Sequence, residues 1–464
     1  MSKESLKRAG DVIIGDIILE SQNGVSLNIS PQVTSIEITE NIFEPFTSGK
    51  ITVLDGQNIS NLFPLVGGEY VTISFRTPSF DEKSAYVKSF FVYAVSDKIK
   101  TAERTSMYQF KLISVDAVKD RTVRLSRTYR GQPHEVIQEI ITISGLLTSN
   151  QLVFEPAVND LVFISNMWKP SKCIDYVCRH AYNSEGAPTF MFFEQKNSYV
   201  FVTLDYLCAQ PTTQHFFDNN WSKQAATDNA NSTTAMEVGK EYQTIRRADY
   251  TTGYSHFARA DQGFYGCETI GIDALTQQYV HVTNQRKFAD GVHLNKYDPL
   301  PVNRPATTSV FINYVPFVTQ NFEGQNQGIT DTDFAYRGIR QQAFARLAST
   351  HINIQVWGRT DYTVGMVVNL SVPKEQQITA TDDPEDKLLS GRYLITSLKH
   401  IVNGGEHVCN MQLMKDSYIV DINHCATADK PSQNTGPETI VKEGTGETKQ
   451  QTSPAQQEDV QGGD

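Results

Sequence analysis

Long apolar runs are missing from this chain: no stretch approaches the roughly 18 consecutive apolar residues that a membrane-crossing helix needs, so no membrane insertion is expected. The opening segment Met1-Ser2-Lys3-Glu4-Ser5-Leu6-Lys7-Arg8 lacks the apolar stretch of a secretory signal. Cysteine is scarce, six in 464 residues. Cys173, Cys178, Cys208, Cys267, Cys409 and Cys425 include no Cys-x-x-Cys and no second close pair to complete a zinc site. They read as reduced small hydrophobes of a protein made in a cytosol. Positive charge is also short, with 41 Lys and Arg against 52 Asp and Glu and a net charge of -11. That balance argues against a dedicated nucleic-acid binder, whose affinity rests on neutralising phosphates. Nucleic acid in transit is a different matter, because like charge along a channel prevents sticking.

What is present is an ordinary globular composition, 39% hydrophobic and 10% aromatic. At about 150 residues per domain the length corresponds to roughly three domains, large enough to be stable without metal or disulfide. From Asp11 to Ala117 strand follows strand. Asn23-Gly24 is a hairpin signal, Val33 to Glu40 alternates with period two, and Ile51-Thr52-Val53, Tyr70 to Phe75, Phe90 to Val95 and Tyr108 to Ile113 complete the set. Many strands with almost no helix point to a barrel or sandwich.

After Asp120 the pattern changes. Pro133 opens a helix carrying Val136, Ile137, Ile140, Ile141 and Leu147, and Ser171 reads as the N-cap of a second helix with Ile174, Val177, Cys178 and Ala181 on one face. A hairpin follows, Thr189 to Phe193 and Tyr199 to Val202. Residues 211–235 read as a polar linker. Strands resume from Met236 through Tyr250 and again at Gly253 to Ala258. The stretch 287–333 shows few periodic signals and reads as a functional loop or interaction arm. A helix spans about Phe334 to Ser349, with Tyr336, Ile339, Ala343 and Leu347 as its apolar stripe flanked by Arg337, Arg340 and Arg346. Four further strands lead to a polar tail, from Ala426 onward, that cannot repay its ordering entropy.

A search for chemistry returns no catalytic constellation. Ser48-Gly49-Lys50 resembles a fragment of a phosphate loop, but Glu44 stands where its first glycine should be and Ile51 follows the lysine; a turn glycine before a strand explains it better. No His-Glu-x-x-His exists among the ten histidines. His400 and His407 flank the Asn403-Gly404-Gly405 turn and could face each other as a metal pair, though solvated cross-strand residues are the simpler reading. His424-Cys425 lacks partners. Gly253-Tyr254-Ser255-His256 is not a nucleophile elbow, because Phe257 replaces its last glycine and a strand is expected there. Asp382, Asp383, Glu385 and Asp386 read as a solvated loop rather than a hydrolytic pair. The basic run Lys119, Arg121, Arg124, Arg127 and Arg130 is either an anionic partner's surface or a solvated interdomain face. No catalytic, cofactor-binding or metal residue is assigned, no cofactor is expected, and the chain reads as a non-enzyme.

Four stretches, in order and spacing, resemble the central baseplate hub protein of contractile-tailed phages. They are Ile36 to Asp55 continuing through Asn61 to Pro78, the helix from Pro170 with the hairpin containing Phe192-Phe193, Gly358 to Val368, and Ser390-Gly391-Arg392-Tyr393 to Asp416. The resemblance implies a mainly β (α+β) fold with two tail-tube-like barrels in one chain, related to the hub part of type VI secretion spikes. Its expected layout is an N-terminal arm at 1–10, a first barrel at 11–118, and an α/β domain with linker at 119–232. A second barrel follows at 233–425, carrying the arm 287–333 and the helix 334–349, and then the disordered tail 426–464. It further implies a homotrimer whose six barrels imitate one tube layer, joining the hexameric tail tube protein to the trimeric central spike protein. Other baseplate proteins and a tape-measure protein are implied neighbours, with DNA only in transit through the lumen. Localisation would be the virion tail, assembled in the host cytoplasm. A glycan-binding receptor-recognition module is the competing reading, since aromatics on β-surfaces can stack sugars. The 20 Tyr and 24 Phe, however, sit mainly inside strand runs where core packing accounts for them.

Overall fold

The computed structural model describes residues 8–422, apart from 58, 60–62, 64, 79, 81–83, 103–104, 147–150, 219–233, 251–254, 274–276, 285, 301–308, 315–317, 321–325, 329–335 and 375–384. The expected disordered tail 426–464, Leu147, His424-Cys425 and Asp382-Asp383 lie outside the described residues. Residues up to Asp421 form one compact unit.

The first half is a mainly antiparallel sheet. It comprises β1 (Ile13–Ile14), β2 (Ile18–Glu20), β3 (Ser26–Asn28), β4 (Val33–Asn41), β5 (Ser48–Asp55), β6 (Tyr70–Arg76), β7 (Tyr86–Ala102) and β8 (Thr105–Ser114), paired in the order β4-β5-β8-β7-β6-β2-β3. Period-two alternation sends every second residue inward. Ile36 and Ile38 of β4, Ile51 and Val53 of β5, Phe75, Phe90, Phe110 and Leu112 are all buried in one core with Ile17 and Leu19 from the far end of the sheet. Because both ends of the sheet share that core, it curls like a barrel wall. Ile29 to Gln32 carry the chain across the remaining gap between β3 and β4. Each fully buried aromatic here stabilises by roughly 1.5–3 kcal/mol.

Helix α1 (Val115–Thr122) leads into the α/β part. There β9 (Leu125–Gly131) pairs with β11 (Leu161–Trp168), and β10 (Gln151–Phe154), β13 (Ser198–Val202) and β12 (Met191–Glu194) form a second small sheet. Helix α2 (Pro133–Ser144) has proline in its first turn, a reciprocal Gln132–Glu135 capping box and Gly145 at φ +66° beyond its end. Its Val136, Ile137, Ile140 and Ile141 pack on α3 (Pro170–His180) and the sheets. Ser171 is not the cap of α3: Lys169 holds that place, and the Ser171 amide and hydroxyl both donate to Asp120. A tertiary acceptor has taken the role a local cap would fill. Helix α4 (Leu204–Ala209), capped by the Thr203 hydroxyl, closes this part.

The stretch read as linker contains β14 (Thr212–Asp218), a strand inside the main sheet, and the expected strand from Met236 is helix α5 (Thr234–Gln243). Beyond it the chain forms β15 (Thr244–Ile245) and β16 (Arg247–Asp249), separated only by Arg246. With β22 (Thr350–Trp357), β23 (Val367–Ser371), β24 (Gly391–Asn403) and β25 (Glu406–Lys415), the pairings run round a ring: β14-β23-β24-β25-β22-β16, and β15 back onto β14. The short segment 244–249 closes it by pairing at each end with a different neighbour. Alternate residues of these strands, among them Ile352, Ile354, Val356, Leu398, Met411 and Leu413, fill its core.

The two halves share a strand. Along one edge of β24, residues 391–394 pair with β23 and residues 397–403 pair with β4, while β25 occupies the other edge. Fifteen strands therefore belong to one sheet. Inserted before β22 are α6 (His256–Asp261), capped by Ser255 where a strand was expected, and a separate sheet of β17 (Cys267–Asp273), β18 (Gln278–Asn284) and β19 (Ser309–Tyr314). Two short strands, β20 (Val318–Gln320) and β21 (Asn326–Gly328), pair with each other. The presumed arm thus contributes β19 to a sheet. Leu294 and Asn295 are tied to Asp416 and Ser417 through backbone-to-side-chain bonds, which leave no periodic signature. Helix α7 (Arg337–Ala348) buries Leu347 of the expected stripe, with Ala343 packed on the same core, but also Gly338, Gln342, Ala345 and Arg346, because neighbours cover several of its faces.

Candidate functional site

Polar residues occupy the inward phase of several strands, and there the unusual chemistry collects. Lys88 follows Tyr86 and precedes Phe90 on the buried face of β7. Its Nζ lies 3.0 Å from Glu194 Oε1 of β12, with side-chain exposures of 7% and 1%. Thr47 donates its amide to Glu194 at 2.8 Å, Ser114 its hydroxyl at 2.9 Å, and Lys88 donates to the Thr47 hydroxyl at 2.9 Å. This network fastens the first sheet to the α/β part.

Glu40 continues the inward row Ile36, Ile38 of β4 and is fully buried, with only the Val364 backbone and the Tyr86 hydroxyl near its carboxylate among the described residues. Burial pushes its pKa up to about 7, aided by Glu194 and opposed by Lys88, the Val364 backbone and Lys196. Lys415, inward on β25, donates to the carbonyls of Leu388, Leu389 and Ser390, and burial lowers its pKa to about 7. Arg340 of α7 directs one nitrogen at the carbonyls of Cys178, Pro188 and Phe190, clamping the helix to the α/β part. A cleft of about 860 Å³ lies beside this clamp, lined among others by Phe43, Ile174, Phe192, Arg337 and Phe344.

At the turn end of the shared strand, His400, His407 and Cys409 converge. His400 and Cys409 are a directly paired couple across β24 and β25. The His400 Nδ1 lies 3.0 Å from His407 Nε2, and Cys409 Sγ lies 3.3 Å and 3.6 Å from those nitrogens. All three residues are no more than 1% exposed, which corrects the reading of these histidines as solvated. The barrel wall of β4 and the rings of Phe75 and Tyr86 enclose them. Burial and the nearby Lys196 lower His400 to about 3, and burial and His400 lower His407 well below its usual value. Burial raises the Cys409 thiol, while the Arg359 backbone favours its thiolate.

The other motifs fall apart in three dimensions. Ser48-Gly49-Lys50 begins β5, so Gly49 lies within a strand and not in a turn before one. Asp386 caps a turn through the Leu388 and Leu389 amides. Within the basic run, Lys119 donates to the Gly145 carbonyl, Arg124 to those of Arg121 and Val123, and Arg127 pairs with Glu139 at 2.7 Å. Sequence reasoning overlooked Lys88, Glu40 and Lys415, although each is a charge in the apolar phase of an alternating strand, a signal that was available.

Outward, the first sheet presents Ile14, Ile18, Val87 and Tyr93, each 37–51% exposed, on β1, β2 and β7. Among the described residues no helix is long and apolar enough to cross a membrane.

No protein-family model and no curated protein matches this sequence. Among solved structures the fold is similar to that of the 43 kDa tail protein of prophage MuSo2 from Shewanella oneidensis. The TM-score is 0.52 at 10% identity, covering 87% of this chain and 99% of that one. A tail protein from Neisseria meningitidis MC58 gives a TM-score of 0.50 at 10% identity over 88% and 97% of the two chains. The mainly β fold is thus shared with tail proteins along nearly their whole lengths.

Proposed function

We propose that this chain is a structural component of a phage-type contractile tail, the baseplate hub whose three copies form a pseudo-six-fold ring. In this reading the ring joins a hexameric tail tube to a trimeric central spike and leaves a lumen for genome passage. Other baseplate proteins and the tape-measure protein are its further neighbours, in a virion tail assembled in the host cytoplasm. The observation that carries the reading is the fusion of two barrel-like sheets through β24, which presents two tube-like units from one chain. The whole-length likeness to two tail proteins, one of them from a prophage, supports it. The outward apolar residues of β1, β2 and β7 supply a face for a neighbouring copy, and closed rings follow when a heterologous interface repeats through a closing rotation. The role is scaffolding and needs no catalysis.

Negative-stain electron microscopy of the purified full chain, with two-dimensional averaging, tests this. Three-lobed rings with a central hole of about 20 Å or wider, enough for a duplex, are expected. Ile18→Asp combined with Val87→Asp, which leaves the inward core residues untouched, should convert rings to monomers. Elongated fibres, or glycan binding by a chain that never forms rings with tube or spike protein present, would overturn the hub reading.

A further inference from the structure

We propose that His400, His407 and Cys409 are a metal site that holds one zinc-class cation and staples the β24–β25 hairpin where the two halves of the sheet meet. Three atoms able to donate lone pairs face one another here at 3.0, 3.3 and 3.6 Å. With zinc–nitrogen bonds of about 2.0–2.1 Å and zinc–sulfur bonds of about 2.3 Å, tetrahedral angles place two nitrogens about 3.3 Å apart and nitrogen and sulfur about 3.6 Å apart. The observed triangle matches to within about 0.3 Å on that comparison.

Hydrogen bonding alone accounts poorly for the cluster. Each inward ring nitrogen has one lone pair or one proton, so the two imidazoles can form a single bond with each other. That bond uses the only inward acceptor, and the thiol is left without one. It also gives both rings the same tautomer, so one outer nitrogen is bare and the other protonated; among the described residues His407 Nδ1 meets no partner, and only the Tyr362 backbone stands near His400 Nε2. A cation instead takes all three inward lone pairs at once, as Cys409 gives up its proton to solvent on binding. Two imidazoles and a thiolate form a donor set suited to zinc.

The surroundings hold the triangle in place. A Cβ built on Gly358 would fall 2.3 Å from His407 ring carbons, so the ring rests against the glycine backbone. The His407 amide donates to the Gly10 carbonyl and its carbonyl accepts from Gly358, which fixes the strand end. These three side chains provide three of four tetrahedral ligands, and the fourth position is left to water or another exogenous donor.

The test uses the full chain, stripped of metal and titrated with Co²⁺ and then Zn²⁺. About one Co²⁺ per chain is expected, with tetrahedral d–d bands, a thiolate-to-cobalt charge-transfer band, and displacement of both by Zn²⁺. Cys409→Ala should abolish the charge-transfer band, and His400→Gln should weaken cobalt binding at least about tenfold, while circular dichroism reports whether each variant is folded. Should a variant fail to fold, the wild-type charge-transfer band alone decides. Absence of that band in the folded wild type, or its persistence in folded Cys409→Ala, would overturn the proposal.

Discussion

Replacing Lys88 with Met would leave the Glu194 carboxylate, 1% exposed in its side chain, without its cation. Breaking a buried pair from one side costs about 3–5 kcal/mol, because the remaining charge stays desolvated and uncompensated. The Thr47 amide and Ser114 hydroxyl still donate to that carboxylate, so the lower end, about 3 kcal/mol, is expected. That equals roughly a hundredfold loss in the folding equilibrium, at about 1.4 kcal/mol per decade. The double variant Lys88→Met/Glu194→Gln removes the stranded charge and keeps an acceptor for Thr47, so it should recover most of the loss. The assay is urea unfolding of wild type, both single variants and the double variant, followed by fluorescence and circular dichroism in parallel, since coincident transitions license the free energies. The cycle should give a coupling of about 2 kcal/mol or more. A loss below about 1 kcal/mol for Lys88→Met, the range of exposed pairs, would refute the reasoning. So would a double variant no more stable than the single.

Glu40 gives a pH signature. Its folded pKa of about 7 lies above the ordinary 4.5, so the folded chain holds that proton more tightly than the unfolded chain. The resulting stability is full below pH 4.5 and is lost as the pH rises to about 7. Glu40→Gln stays neutral throughout, so its stability relative to wild type should rise by roughly 3 kcal/mol across that window, read by melting temperatures. A difference independent of pH would sink the assignment. Arg340→Met strips three carbonyls of their donor and should cost about 3 kcal/mol. Hydrogen exchange should quicken at Phe190 to Phe193 before it changes in β5 or β8, and uniform exchange would argue against the clamp.

Alternation made the first sheet legible from Val33 to Ile113, since period-two burial depends only on local geometry. Helix α2 was equally legible, with its proline, capping box and terminal glycine all within the segment they control. The misreadings share one cause. Strand β14 looked like linker because its neighbours, β15 and β23, lie far along the chain or were themselves weakly patterned. Ser171 looked like a cap because Asp120, its actual partner, is 51 residues away. The stripe of α7 was only partly legible: Leu347 is buried as expected, but so are Gly338, Gln342, Ala345 and Arg346, because a helix covered on several sides no longer has one apolar face.

The polar cluster was half visible. His400 and His407 were identified as hairpin neighbours from the Gly404-Gly405 turn, but a turn does not say which face of a hairpin is buried. Cys409 joined them only through the register of β24 on β25.

The sequence by itself thus determined the mainly β character, the α/β insertion and the absence of a recognisable catalytic motif, because these follow from composition and short-range periodicity. Tertiary structure alone decided that β24 is shared by both halves, that segment 244–249 closes the second ring, and that two histidines and a cysteine meet in the dark. Each of those outcomes depends on which distant strand edge pairs with which, and that choice is settled by burying many inward rows at once, not by any residue's own neighbours.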